Sequence, residues 1–143
     1  MPLIKRAKKV PYSCAEMYQL VNDVASYPAF VPWCCGSEIL RASGDQVEAS
    51  LTFSKGGLER SFTTVNQLTA DKRIEIRLLD GPFHHLEGFW QFEPRAGGCL
   101  VLLDLDFEFN HKLTQMMFGS LFNHVASLLV DTFCERAHDL YED

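Results

Sequence analysis

Several signatures that would announce an enzyme or a membrane protein are missing from this sequence. There is no nucleophile elbow, no H-E-x-x-H pair and no phosphate-cradling glycine loop, so hydrolase, zinc-protease and nucleotide chemistry have no motif to stand on. No apolar run approaches the ~20 residues that span a bilayer, and the cationic first ten residues have no signal-peptide core behind them, so a cytoplasmic protein is expected. Low-complexity tracts and internal repeats are absent, and with 47% hydrophobic and 22% charged residues a disordered chain is set aside. Cys14, Cys34, Cys35, Cys99 and Cys134 form an odd set without C-x-x-C spacing, which points to free thiols rather than a disulfide framework or a zinc site.

An excess of positive charge is missing too. A net charge of −6 excludes a general nucleic-acid binder, and DNA is not an expected partner. The cations are unevenly placed, because Lys5, Arg6, Lys8 and Lys9 all fall in the first strand candidate. Two readings stay open there: a lysine-protected edge strand, or a small docking patch for anionic lipid or RNA.

The 143 residues suit one α+β domain, spanning 1–143, with a substantial core. Ser13 with Glu16 three residues later predicts a capping box, followed by Met17, Leu20, Val21 and Val24 at helical spacing. The helix is expected to stop near Tyr27-Pro28, leaving a stiff aromatic loop over residues 25–36. From residue 37 to residue 109 the period changes to two, punctuated by turn residues, which predicts six antiparallel strands. The last strand is the clearest, with Cys99, Val101, Leu103, Leu105, Phe107 and Phe109 on one face and Asp104, Asp106 and Glu108 on the other. Asn110 is the expected N-cap of a helix reaching about residue 141. Its stripe runs through Leu113, Met117, Leu121, Val125, Leu128 and Thr132, widened by Phe118, Phe122, Leu129, Phe133 and Leu140.

The order β-α-β-β-β-β-β-β-α predicts a helix-grip fold, a curved seven-stranded antiparallel sheet around the long C-terminal helix. A helix laid in a curved sheet leaves space unless large side chains fill it. An empty void of ~300 Å³ would cost ~7 kcal/mol, close to the whole stability of a domain, so the space must be filled, wet or collapsed. An isoprenoid chain is a suitable filler, and a plainly packed core is the equal alternative.

Two segments carry a more specific signal. Tyr27-Pro28-Ala29-Phe30-Val31-Pro32-Trp33-Cys34 resembles the Tyr-Pro-x-Phe-Leu/Val-Pro-Trp-Cys loop of the coenzyme Q-binding START-domain family, within the polyketide cyclase/START-like superfamily. Gly81-Pro82-Phe83-His84-His85-Leu86-Glu87-Gly88-Phe89-Trp90-Gln91-Phe92 resembles its Gly-Pro-Phe-x-x-Leu-x-Gly-x-Trp-x-Phe strand, and the likeness extends over the whole chain, strongest toward bacterial members. The resemblance implies a non-enzymatic lipid binder with no required cofactor and ubiquinone as bound ligand. For bacterial members it also implies contact with the large ribosomal subunit that blocks subunit association.

Carried onto this sequence, the resemblance makes the 27–34 loop a cavity rim, with Phe30 and Trp33 touching lipid or the inner membrane, although some bacterial relatives have glycine where Trp33 stands. It places Trp90 and Phe92 in the pocket wall, has Gly88 admit the helix or a ligand closely, and sets Phe83 over the mouth. The inward residues Leu105, Phe107 and Phe109 of the last strand and Met117, Leu121 and Val125 of the helix complete the expected pocket. A polyketide aromatase or cyclase is a third reading, disfavoured because the inward stripe of the last strand offers no polar group. The histidines read as solvated, and His84 and His85, being adjacent on a strand, cannot chelate one metal together.

Overall fold

The computed structural model describes residues 3–141. Ser13 caps helix α1 (Cys14–Asn22) in both directions: Glu16 N–H donates to Ser13 Oγ at 3.1 Å, and Ser13 N–H donates to Glu16 Oε1 at 3.0 Å. Met17, Tyr18, Leu20 and Val21 are buried on its inner face. The helix ends earlier than the Tyr27-Pro28 break predicts. Residues Val24–Ala29, expected to be helix and then irregular loop, wind into a short 3-10 turn that contains Pro28. The Tyr27 hydroxyl donates to the Val21 carbonyl, one of the acceptors that the end of α1 leaves unbonded, and so ties the turn to the helix.

Strand β1 (Leu3–Val10) precedes α1, and six strands follow it: β2 (Cys34–Ser43), β3 (Gln46–Lys55), β4 (Leu58–Thr69), β5 (Arg73–Asp80), β6 (Phe83–Arg95) and β7 (Gly98–Phe109). They form one antiparallel sheet in the order β1-β7-β6-β5-β4-β3-β2. The alternation read from β7 is what the structure shows: Cys99, Val101, Leu103, Leu105, Phe107 and Phe109 are all buried, with half-buried residues between them. Helix α2 (Lys112–Tyr141) lies along that face and packs on β1 and β7. This is the helix grip that the element order predicts.

Three details depart from expectation. Asn110 does not cap α2, because the helix begins one residue later, with Gln115 N–H to His111 O as the bond that starts it; the Asn110 N–H donates instead to Pro82 O at 3.0 Å and fastens the β5–β6 turn. The stripe on α2 is covered only from Phe118 onward, and Leu113 (66% exposed) and Met117 (54%) stand in solvent two turns and one turn before Leu121, as Leu140 does at the far end. The helix outruns its cover at both ends. Finally, α2 is by length and average hydropathy apolar enough to cross a membrane, which a search for unbroken apolar runs misses. In this fold that apolarity serves the sheet contact.

Local irregularities aim the side chains. Between β6 and β7 the register shifts at His84, so that Phe83 and Leu86, three residues apart, both turn inward. Phe83 therefore sits in an aromatic cluster with Phe109 (ring centroids 4.8 Å), Phe122 (5.1 Å) and Phe62 (5.4 Å) instead of closing a mouth. A second shift, between β4 and β5 at Thr63/Thr64, leaves Leu79 as the extra residue, turned outward and 54% exposed. Gly88 is opposite Leu105, and a Cβ there would lie 2.1 Å from the Asp104 carbonyl oxygen. The close neighbour is the β7 backbone, not the helix or a ligand as the resemblance implied.

The four cations of β1 do not form one patch. Arg6 and Lys8 pair with the inward residues Leu103 and Val101, while Lys5 and Lys9 are on the other face. Lys8 reaches Asp131 of α2 at 3.3 Å, and Lys5 lies 3.9 Å from Asp104. A β1 that ends the sheet and carries lysines fits the edge-protection reading.

Two substitutions test this description by chemical denaturation. Gly88→Ala should destabilise by about 1–3 kcal/mol, because the β7 backbone must move. Trp33 adopts φ 59, the left-handed region that glycine enters without strain. Trp33→Gly should therefore change stability by less than ~1 kcal/mol despite the loss of a ring, whereas Trp90→Ala, at a site only 3% exposed, should cost about 3–5 kcal/mol.

Candidate functional site

The aromatic cluster fills one end of the space between α2 and the sheet. Toward the other end, where β3, β4 and β5 curve away from α2, a cavity of about 90 Å³ remains. Ala49, Leu51 and Phe53 of β3, Phe62, Thr64 and Asn66 of β4 and Ile76 of β5 form one wall. Leu86, Trp90 and Leu105 form the floor, and α2 supplies Phe122, Val125, Ala126, Leu129 and Phe133. Val24, Tyr27 and Val31 close the side nearest the 3-10 turn. Every lining residue is uncharged at neutral pH.

Its size sets a limit. At ~24 cal/mol per Å³ a void this large costs only ~2 kcal/mol, which a domain tolerates. It is smaller than the ~150 Å³ cavity that accepts benzene, so a substituted ring enters only if the walls give way. The half-buried Leu51, Ile76 and Leu129 are the parts of the wall with most access to solvent, whereas Tyr27 is held by its bond to Val21 and by the Phe30 and Phe133 rings.

Of the residues expected in the pocket, Trp90, Leu105 and Val125 line it. The 27–34 loop is a rim, but through Tyr27 and Val31 instead of Phe30 and Trp33. Phe30 packs behind the rim, edge-on to Phe133 at 5.3 Å and beneath the Arg136 guanidinium at 4.9 Å. Trp33 is on the surface, 4.8 Å from Lys55 Nζ and 5.9 Å from the His124 ring. Phe83, Phe107 and Phe109 belong to the aromatic cluster, and Phe92 meets Tyr18 of α1. Leu121 is buried on the Trp33 side of α2, and Met117 is exposed.

Sequence reasoning missed Thr64 and Asn66, the buried polar residues of the sheet face. The signal was present: both share the parity of Phe62 on β4, and a polar residue at an inward parity calls for a partner. Thr64 Oγ1 donates to Asn66 Oδ1 at 2.9 Å.

Other reactive groups offer little chemistry. Burial pushes the Cys34 and Cys134 thiols up to about 11 and the Cys99 thiol up to about 12, so each stays protonated and weakly nucleophilic at neutral pH. Cys14 Sγ and Cys99 Sγ, far apart in sequence, meet at 3.0 Å as free thiols. Burial also raises the Tyr27 phenol, with Cys34 and Asp23 adding to the effect, which keeps it a hydrogen-bond donor. No group of histidines, cysteines and carboxylates suited to a metal occurs among the described residues. A wider depression of about 620 Å³ on the outer sheet face is open and edged by Lys5, Arg73, Glu75, Arg77, Glu87 and Asp104. It has neither the enclosure nor the apolar wall that a lipid needs.

Comparison with known proteins agrees with this architecture. The chain is 46% identical over 142 residues to the ribosome association toxin RatA of Escherichia coli, a match covering 99% of this chain and 90% of that protein. It is 27% identical to a mitochondrial coenzyme Q-binding protein COQ10 homolog of Xenopus laevis, over 94% of this chain and 57% of that one. Among solved structures, an 18 kDa protein of Caulobacter crescentus superposes with a TM-score of 0.76 at 30% identity, covering all of both chains. The Zhui aromatase/cyclase of Streptomyces shares the fold, with a TM-score of 0.79 at 18% identity over 96% of this chain and 93% of that one. Residues 10–134 match the family described as polyketide cyclase / dehydrase and lipid transport, and the chain belongs to that START-like family.

Proposed function

We propose that this protein binds a neutral polyprenyl quinone, ubiquinone or a close analogue, between α2 and the sheet, and acts as a quinone carrier or chaperone without catalysing a reaction. The observation that carries this reading is the partly open, uncharged and largely apolar cavity, beside which no activated nucleophile or metal cluster stands among the described residues. An apolar chain buried there contributes ~0.8 kcal/mol per methylene, and the aromatic lining imposes no fixed pattern of polar partners. The family's description as a lipid-transport family and the name of the Xenopus relative support it. A cytoplasmic protein that touches the inner membrane transiently to exchange its ligand goes with this role. The aromatase/cyclase reading has fold likeness alone behind it.

Organic extraction of protein purified from its native cytoplasm should yield a polyprenyl quinone. Ala126→Phe, which directs a ring into the cavity from α2, should abolish that yield while the melting temperature stays within a few degrees of the parent. Quinone-free preparations that also fail to take up added quinone would remove the reading.

A second reading has its own support. Similarity to a ribosome association toxin at 46% identity over 99% of the chain favours association with the large ribosomal subunit. The acidic net charge leaves a local surface as the means of contact, and among the β1 cations Arg6 and Lys9 have no ion pair within the described residues. Overexpression should then raise free subunits at the expense of intact ribosomes in a sedimentation gradient. Reversing Lys5, Arg6, Lys8 and Lys9 to glutamate should weaken the effect, and an unchanged gradient for the parent protein rules the reading out.

A further inference from the structure

Where it lines the cavity, the inner face of the sheet is apolar except at one place. Thr64 and Asn66, each 8% exposed, are the buried polar residues among those described, and both line the cavity. Their cross-strand neighbours cannot serve them: Asn66 stands between Val47 and Ile76, and Thr64 between Ala49 and Leu78. The pair therefore bonds to itself. Because the Thr64 hydroxyl donates to Asn66 Oδ1, the carboxamide is oriented with its oxygen toward Thr64, and its two N–H donors have no protein acceptor among the described residues. Trp90 lines the same cavity, and its indole N–H is likewise without a protein acceptor there. Neither nitrogen is among the buried unsatisfied atoms, so both donors stay accessible from the cavity, where a ligand that brings an acceptor can reach them.

The chemistry of that acceptor is restricted. No charged side chain lines the cavity, so a phosphate or carboxylate would lose its hydration with nothing to replace it. A neutral carbonyl suits an amide N–H. We propose that Asn66, oriented by Thr64, is the recognition residue for the ligand's head group, donating through Nδ2 to a ring carbonyl, so that the protein prefers the carbonyl-bearing quinone to its quinol and to a plain isoprenoid hydrocarbon. This rests on the lipid-binding reading and adds a direction to it. The ring goes inward against β4, and the tail leaves past Tyr27, Val31 and Leu129 at the rim. The register shift beside Thr64 is a bend in the sheet at the recognition point, a common position for such irregularities.

The test uses the full chain and three probes: a benzoquinone with one isoprene unit, its quinol, and the isoprenyl benzene without oxygens. Calorimetric titration should show the quinone bound about tenfold more tightly than either of the others, the scale of one buried hydrogen bond. Asn66→Leu should erase that preference by weakening the quinone about tenfold and leaving the hydrocarbon unchanged, with Thr64→Val intermediate. In the unmutated protein, the Asn66 side-chain amide resonances should shift on adding quinone and stay in place with the hydrocarbon, a readout that holds even if the Leu variant folds poorly. Equal binding of quinone and hydrocarbon, a preference for the quinol, or unmoved Asn66 resonances in the quinone complex would each overturn the assignment while leaving lipid binding intact. Failure of all three probes to bind would instead bring down the lipid-binding reading itself.

Discussion

Helix α2 buries its apolar side mainly against the inward face of the sheet, and the two surfaces do not match in shape. The helix follows β1 and β7 at close range, while the sheet turns away from it toward β3, β4 and β5. Where large rings are available the gap closes. Phe53, Phe62, Phe83, Phe107, Phe109 and Phe122 fill it, mostly edge to face but stacked for Phe83 on Phe109 and Phe53 on Phe62, with centroids between 4.8 and 6.2 Å for the contacting pairs. Where β3 and α2 present Ala49 and Ala126 the gap stays open, and the cavity lies there. Pocket and core are thus two outcomes of one mismatch, decided by which inward positions carry rings and which carry alanine.

The same mismatch explains how much of the molecule was legible in the sequence. The capping box at Ser13, the alternation of β7 and the length of α2 are local patterns, and each is found as read. What periodicity cannot report is where a neighbour ends. Met117 and Val125 occupy the same stripe of α2, but Val125 faces the sheet and Met117 has outrun it, and nothing in the helical spacing distinguishes them. Register shifts are equally silent. The extra residue at His84 turns Phe83 from a supposed lid into core, although the sequence around it reads as an ordinary strand.

Some of what was missed lay within reach. Strand parity alone divides Lys5 and Lys9 from Arg6 and Lys8 and so undoes a single docking patch. It would also have placed Thr64 and Asn66 on the face of Phe62. Judging the polarity of the interior from β7 alone led to the expectation of a wall without hydrogen-bonding groups, when the polar groups belong to a strand farther from the helix.

That location has a physical reason. Strand β7 lies directly beneath α2, so a polar side chain there would be pressed against helix side chains with no room for a partner, and its inward stripe is uniformly apolar. Strand β4 faces the gap, where space exists for a second molecule to bring the partner. Asn66 also depends on Thr64 to hold its oxygen, since a free carboxamide would present donor and acceptor alternately and discriminate little. The buried thiols raised by desolvation and the uncharged walls act in the same direction, leaving the interior with hydrogen-bond donors and no reactive nucleophile near neutrality. Such an interior is what the proposed holding of a carbonyl-bearing ring requires.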